Sequence, residues 1–146
     1  MKDFALHPRL AADTVTICDW PLSRVLLMND GRFPWLILVP RRAGIAEFFS
    51  LPSIDRNLLA DEISRASAIV RRWAMSRAGC DKLNVGMIGN IVRQLHVHVI
   101  ARRTTDAAWP FPVWGRGDPV PYPPGEFERA AAELNQLALN TGTVPP

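Results

Sequence analysis

The sequence predicts an α+β domain in which about five strands form an antiparallel sheet with two helices, in the order β-β-β-α-β-β-α. Three observations carry this. Short runs rich in β-branched and apolar residues recur at 13–18, 24–28 and 35–39, separated by turn-forming residues. One long stretch, 55–78, changes to three- and four-residue apolar spacing. Two more strand-like runs then follow at 82–87 and 93–101. Strands gathered before and after one helix suit an antiparallel sheet better than a doubly wound parallel one.

The elements follow in order. Asp13 to Cys18 alternate with Val15 and Ile17 on one side, as in a half-buried strand. The run Arg24-Val25-Leu26-Leu27-Met28 is stopped by Asn29-Asp30-Gly31. The unbroken apolar run Trp35-Leu36-Ile37-Leu38-Val39, ended by Pro40, predicts a central strand buried on both faces, and the short connection predicts an antiparallel hairpin with the strand before it. In the helix, Leu58, Leu59, Glu62, Ile63, Ala66, Ile69, Val70 and Trp73 share a face, Ser53 or Asp55 is the expected cap, and Gly79 the stop. Arg65, Arg71, Arg72 and Arg77 are expected on its solvated face. Residues 105–125 hold six prolines together with Trp109, Phe111, Trp114 and Tyr122, and predict an irregular arm packed on the body or on a second subunit. A helical pattern resumes over 126–139, and the tail beyond residue 140 is expected to fray.

Bulk properties narrow the function. A chain of 146 residues fits a single domain over 1–146, with a core at about 10–103, the arm at 105–125 and the last helix at 126–140. The net charge of +3 is too small to argue for nucleic acid, which is not expected as a partner, but suits a small anionic substrate. Two isolated cysteines fit a reducing compartment, and no signal-like or membrane-length apolar segment is present, so a cytoplasmic location without membrane contact is expected.

The chemistry concentrates at Gln94-Leu95-His96-Val97-His98-Val99-Ile100, which holds two of the three histidines. On a strand, Gln94, His96 and His98 would share one face and Leu95, Val97 and Val99 the other. Neutral imidazole can attack an electrophile or move a proton near neutral pH, and donors converging on one spot suit a phosphate undergoing displacement. Two histidines at this spacing could equally ligate a transition metal, but a third and fourth ligand would be needed, and His7, Cys18 and Cys80 fall at no telling spacing. Catalysis and metal binding stay open on spacing alone.

The run resembles the signature of the histidine triad (HIT) superfamily, His-φ-His-φ-His-φ-φ with φ apolar. Leu95, Val97, Val99 and Ile100 match the φ positions, His96 and His98 the second and third histidines, and Gln94 stands where the first would be. Gly89-Asn90, Ala101-Arg102, Leu83-Asn84-Val85-Gly86, and Asn29 with Phe33 to Pro40 resemble the surrounding family pattern, with Trp35 at the place of a frequent histidine. The resemblance implies a HIT-like fold, a homodimer with one continuous sheet, and a hydrolase or transferase acting on a nucleotide such as a dinucleoside polyphosphate or phosphoramidate. It implies His96 as the nucleophile that takes up the nucleotidyl group. His98 would bind the phosphate or hold the nucleophile's ring through its backbone carbonyl, and Gln94 would keep at most an amide hydrogen bond. Asn84, Gly89 and Asn90 would lie by the phosphates and Asn29 near the ribose. No cofactor and no metal is required by the motif, although a divalent cation can accompany the nucleotide. A catalytically weak nucleotide-binding or regulatory module is the alternative reading, and a metal-dependent enzyme using His96 and His98 the third.

Overall fold

In the computed structural model, which describes residues 3–140, the chain folds as α1 (Pro8–Asp13), β1 (Thr14–Asp19), β2 (Ser23–Met28), β3 (Trp35–Pro40), a 3-10 turn (Phe48–Ser50), α2 (Ser53–Met75), β4 (Lys82–Gly86), β5 (Val97–Arg102) and α3 (Glu126–Asn140). The expected fraying beyond residue 140 lies outside the described residues. The five strands form one antiparallel sheet in the order β1-β2-β3-β5-β4. The predicted α+β architecture is observed, with α1 and the 3-10 turn as additions. Among the described residues no helix is long and apolar enough to cross a membrane.

Apolar alternation explains the layering. On one face Leu36 and Leu38 of β3 and Val97, Val99 and Ala101 of β5 pack under α2, while α3 packs on β1 and α2. On the other, Trp35, Ile37 and Val39 of β3 and Ile100 of β5 meet Leu10 of α1, Val92, and Ala108 and Val113 of the arm. The unbroken apolar run of β3 is thus the central, doubly buried strand that its composition predicts, and β2 and β3 form the expected hairpin, Leu26 opposite Ile37.

Three details of the sequence reading change. Helix α2 begins after Pro52 with no side-chain cap. Asp55 is instead buried in its first turn, where it accepts from Arg42 Nε at 2.7 Å and Nη2 at 2.8 Å. A carboxylate at that position complements the positive end of the helix dipole without touching its free amides. The basic face is not uniformly solvated either. Arg65 lies over the Trp20 ring at 4.5 Å and donates to the Ala138 carbonyl, and Arg77 lies over Trp73 at 4.3 Å and pairs with Glu133. Both thereby help seat α3, while Arg71 and Arg72 stay exposed. Finally, β5 starts at Val97 rather than residue 93, so Gln94 and His96 precede the strand. The ladder ends because β3 pairs no further than Leu38 with Val97 and β4 no further than Gly86 with His98. Beyond Gly86 the chain turns away through Gly89, whose φ of +65° favours glycine.

The arm at 105–125 runs irregularly over its own subunit's sheet. Its root is a buried ion pair, Arg102 Nε to Asp106 Oδ2 at 2.7 Å, with Arg102 1% exposed. The far end is tied down by the Tyr122 amide, which donates to Asn29 Oδ1 at 3.0 Å, and by the Gly31 amide, which donates to the Val120 carbonyl.

Candidate functional site

His96 and His98 come together on the arm side of the sheet, their ring centres 4.8 Å apart and nearly perpendicular. They are 6% and 5% exposed. His98 is held by β5 itself, whose alternation sends Val97 and Val99 to the helix face and the imidazole to the other. His96 sits in the residue before the strand and is positioned by local backbone, since its Nδ1 lies 2.6 Å from the carbonyl oxygen of Gln94. A carbonyl only accepts, so the proton of this neutral imidazole is assigned to Nδ1, and Nε2 carries the free lone pair.

Burial lowers the pKa of His96 below its ordinary value, although the Gln94 carbonyl acts the other way and His7 adds a smaller lowering effect. His98 is pushed down to about 3, chiefly by burial and secondarily by His96. Both rings are therefore neutral at physiological pH. Around His98 two indoles close in: Trp114 of the arm at 5.1 Å between ring centres, and Trp35 of β3 at 5.5 Å, whose Nε1 lies 3.0 Å from His98 Nδ1. Gly86, opposite His98 on β4, leaves room for Trp114, because a Cβ there would stand 3.2 Å from its Cη2.

Two cavities meet at His96. A largely apolar cleft of about 330 Å³ is walled by Leu10, Met28, Ile37, Val92 and Trp114 and reaches both histidines. A more polar pocket of about 250 Å³ has Glu47, Arg93 and residues 87–89 on its walls. Gly89 borders both cavities and Asn90 the apolar one.

The other expected site residues are engaged as follows. Gln94 lines the polar pocket beside His96, but its amide bonds the N-terminal segment: Oε1 accepts from the His7 amide at 2.9 Å and Nε2 donates to the Ala5 carbonyl at 2.8 Å. It fastens the N-terminal segment that leads into α1, and α1 contributes Arg9, Leu10 and Asp13 to the cleft wall. Asn84 shares the site face of the sheet, opposite Ile100, and its Oδ1 accepts from Arg102 Nη1 at 2.7 Å. Asn29 anchors the arm through Tyr122. Among the described residues, no group of three or more His, Cys, Asp or Glu side chains is placed to hold one metal ion.

Sequence reasoning missed α1 as a wall of the site, though His7-Pro8 before Leu10-Ala11-Ala12 is a helix-start pattern: His7 Nδ1 accepts from the Arg9 amide and Pro8 occupies the first turn. It placed Trp35 only where the family often has a histidine, and did not foresee it as a hydrogen-bond partner of His98.

The HIT domain family model matches residues 9–105. Among solved structures, the chain is similar to a histidine triad protein from Bradyrhizobium japonicum, 44% identical, with 94% of this chain and 99% of that one covered and a TM-score of 0.87. It is similar also to a histidine triad protein from Sinorhizobium meliloti, 46% identical over 91% of this chain and 96% of that one, TM-score 0.84. A third, from Marinobacter aquaeolei, is 44% identical over 94% and 98%, TM-score 0.83. No curated protein matches the chain.

Proposed function

The chain belongs to the histidine triad (HIT) family, and on that premise we propose that it acts at the α-phosphate of a nucleoside phosphoryl derivative, as hydrolase or transferase, through a nucleotidyl-histidine intermediate on His96. Dinucleoside polyphosphates and nucleoside phosphoramidates are the substrate types. The observation that carries this reading is the 2.6 Å contact of His96 Nδ1 with the Gln94 carbonyl. It leaves Nε2 unprotonated, the state a nucleophile needs, and the low pKa preserves that state at neutral pH.

In this mechanism Nε2 attacks the α-phosphorus, a P–N bond forms, and the bond to the leaving group breaks with its electron pair. Water or another acceptor then displaces the histidine and restores the ring. His98 donates a hydrogen bond to a phosphate oxygen, and the Gly89 backbone and Asn84 border the phosphates. The apolar cleft suits a nucleoside, since such sites are mostly apolar with few polar anchors. This route requires no cofactor; a divalent cation can enter with the phosphates. We further propose a homodimer through β4, which is a sheet edge carrying the exposed Val85.

One observation favours a second reading, a nucleotide-binding module with little turnover. Gln94 does not titrate and its amide bonds Ala5 and His7, so no acid stands in its place to protonate a leaving group. Incubating wild type and His96→Ala with a panel of such substrates, followed by intact-mass analysis, separates the two. A wild-type nucleotidyl adduct and turnover that His96→Ala lacks support catalysis. Equal, low turnover in both proteins would sink it, and tight binding without an adduct would select the module.

A further inference from the structure

The geometry points to Trp35 as a positioning residue that locks His98 into the tautomer able to donate to phosphate, through the bond between its indole N–H and His98 Nδ1. Indole nitrogen donates only, so Nδ1 must offer its lone pair at this 3.0 Å contact, and the proton of neutral His98 belongs on Nε2. The Nδ1–H tautomer would set two donors face to face in a dry site. So would the imidazolium.

Burial makes this preference strong. Trp35 and His98 are each 5% exposed, so water competes little for the contact between their nitrogens. The strands hold the pair in register. Trp35 opens β3 opposite Ile100, two residues beyond His98 on the same face of β5. Phe33 and Trp114 pack edge-on against the Trp35 ring at 6.4 Å and 6.2 Å and fix its plane. The two histidines then carry opposite tautomers: His96 has its proton on Nδ1 and a free Nε2, while His98 has a free Nδ1 and its proton on Nε2. One offers a lone pair for attack and the other a fixed donor. His98 is thereby also barred from serving as a proton shuttle, because Nδ1 is occupied.

This inference rests on the phosphate-site reading of His96 and His98, but its main readout is spectroscopic and needs no substrate. Long-range nitrogen–proton NMR of wild type and Trp35→Phe reports which nitrogen of each histidine carries the proton. His98 is expected as Nε2–H alone in wild type and as a mixture in the variant, with its protonation midpoint moving up. The other ionisable groups on the cleft, His96, Arg9 and Asp13, are common to both proteins. With about half of the molecules in the wrong tautomer, kcat falls about twofold and KM changes by less than that. In a His98→Asn background the same Trp35→Phe change has little further effect on kcat. A wild-type His98 protonated on Nδ1 would overturn the lock without any variant, as would an unchanged His98 signature in a folded Trp35→Phe protein. Lack of turnover in every protein would sink the functional reading alone, because the nitrogen spectra still decide the tautomer.

Discussion

Asp106→Asn is expected to destabilise the protein by an amount that depends on pH, and the contacts set its size. The Asp106 carboxylate, 2% exposed, accepts from Arg102 Nε and Nη2 and from the amides of Arg103, Ala108 and Trp109. Burial by itself would raise its pKa, but the Arg102 bonds and those backbone donors outweigh it and hold the carboxyl at about 2 against an ordinary 3.8. At about 1.36 kcal/mol per pH unit, such a depression stabilises the fold by about 2.5 kcal/mol when the group is ionised in both states. The folded value lies below the unfolded one, so this contribution is complete above about pH 5 and is lost as pH falls through 3.8 towards 2. About half of it remains at pH 3. Asparagine keeps the shape and one acceptor but cannot titrate. Urea unfolding of both proteins should therefore show a stability gap about 1 kcal/mol narrower at pH 3 than at pH 6. A gap of the same width at both pH values would refute the argument and leave Asp106 as a matter of shape. Because the carboxylate roots the arm, the variant should also show weaker packing of Trp114 on His98 in near-ultraviolet circular dichroism.

The remaining expectations concern the site. His96→Ala should lower turnover at least about a thousandfold without loss of fold, checked by steady-state kinetics and circular dichroism. The acid limb of kcat/KM should lie below the ordinary histidine value of 6.5, because burial lowers the pKa of His96 and its neutral, attacking form survives to lower pH; activity is lost as pH falls through that depressed value. A limb above 6.5 would contradict it. Gln94→Ala removes both bonds that fasten the N-terminal segment and should raise KM more than it lowers kcat, since α1 walls the cleft rather than the reacting atoms. Val85→Lys should shift the protein to monomer in sedimentation if β4 is the dimer edge.

Periodicity made the sheet readable. The alternation at 97–101 and the unbroken run at 35–39 are local signals, and each determines which residues face which layer. The row of three polar side chains was legible only in part. His96 and His98 do come together, but the strand starts only at Val97, because the end of a ladder is fixed by the partner strands rather than by its own sequence, and Gln94 spends its amide on the N-terminal segment. The cap of α2 was misread for a related reason: Asp55 found Arg42, thirteen residues back, and a buried charge takes its nearest cation over a local amide. Glu62 behaves likewise, sitting on the apolar face of α2 because its two oxygens accept from the Leu22 and Ser23 amides at the start of β2. Trp35 and Trp114 reach His98 from sequence distances of 63 and 16 residues, contacts that no window of a single chain displays.

The two indoles on His98 also give the molecule an optical handle. Of its five tryptophans, Trp35 and Trp114 line the cleft, whereas Trp20 and Trp73 lie in the core on the opposite face of the sheet. Indole emission shifts with the polarity of its surroundings, so filling the cleft with a base, or draining it, changes light from one side of the sheet and leaves the helix side as an internal reference. Occupancy of the site can thus be followed in the unmodified protein, with no label and no turnover.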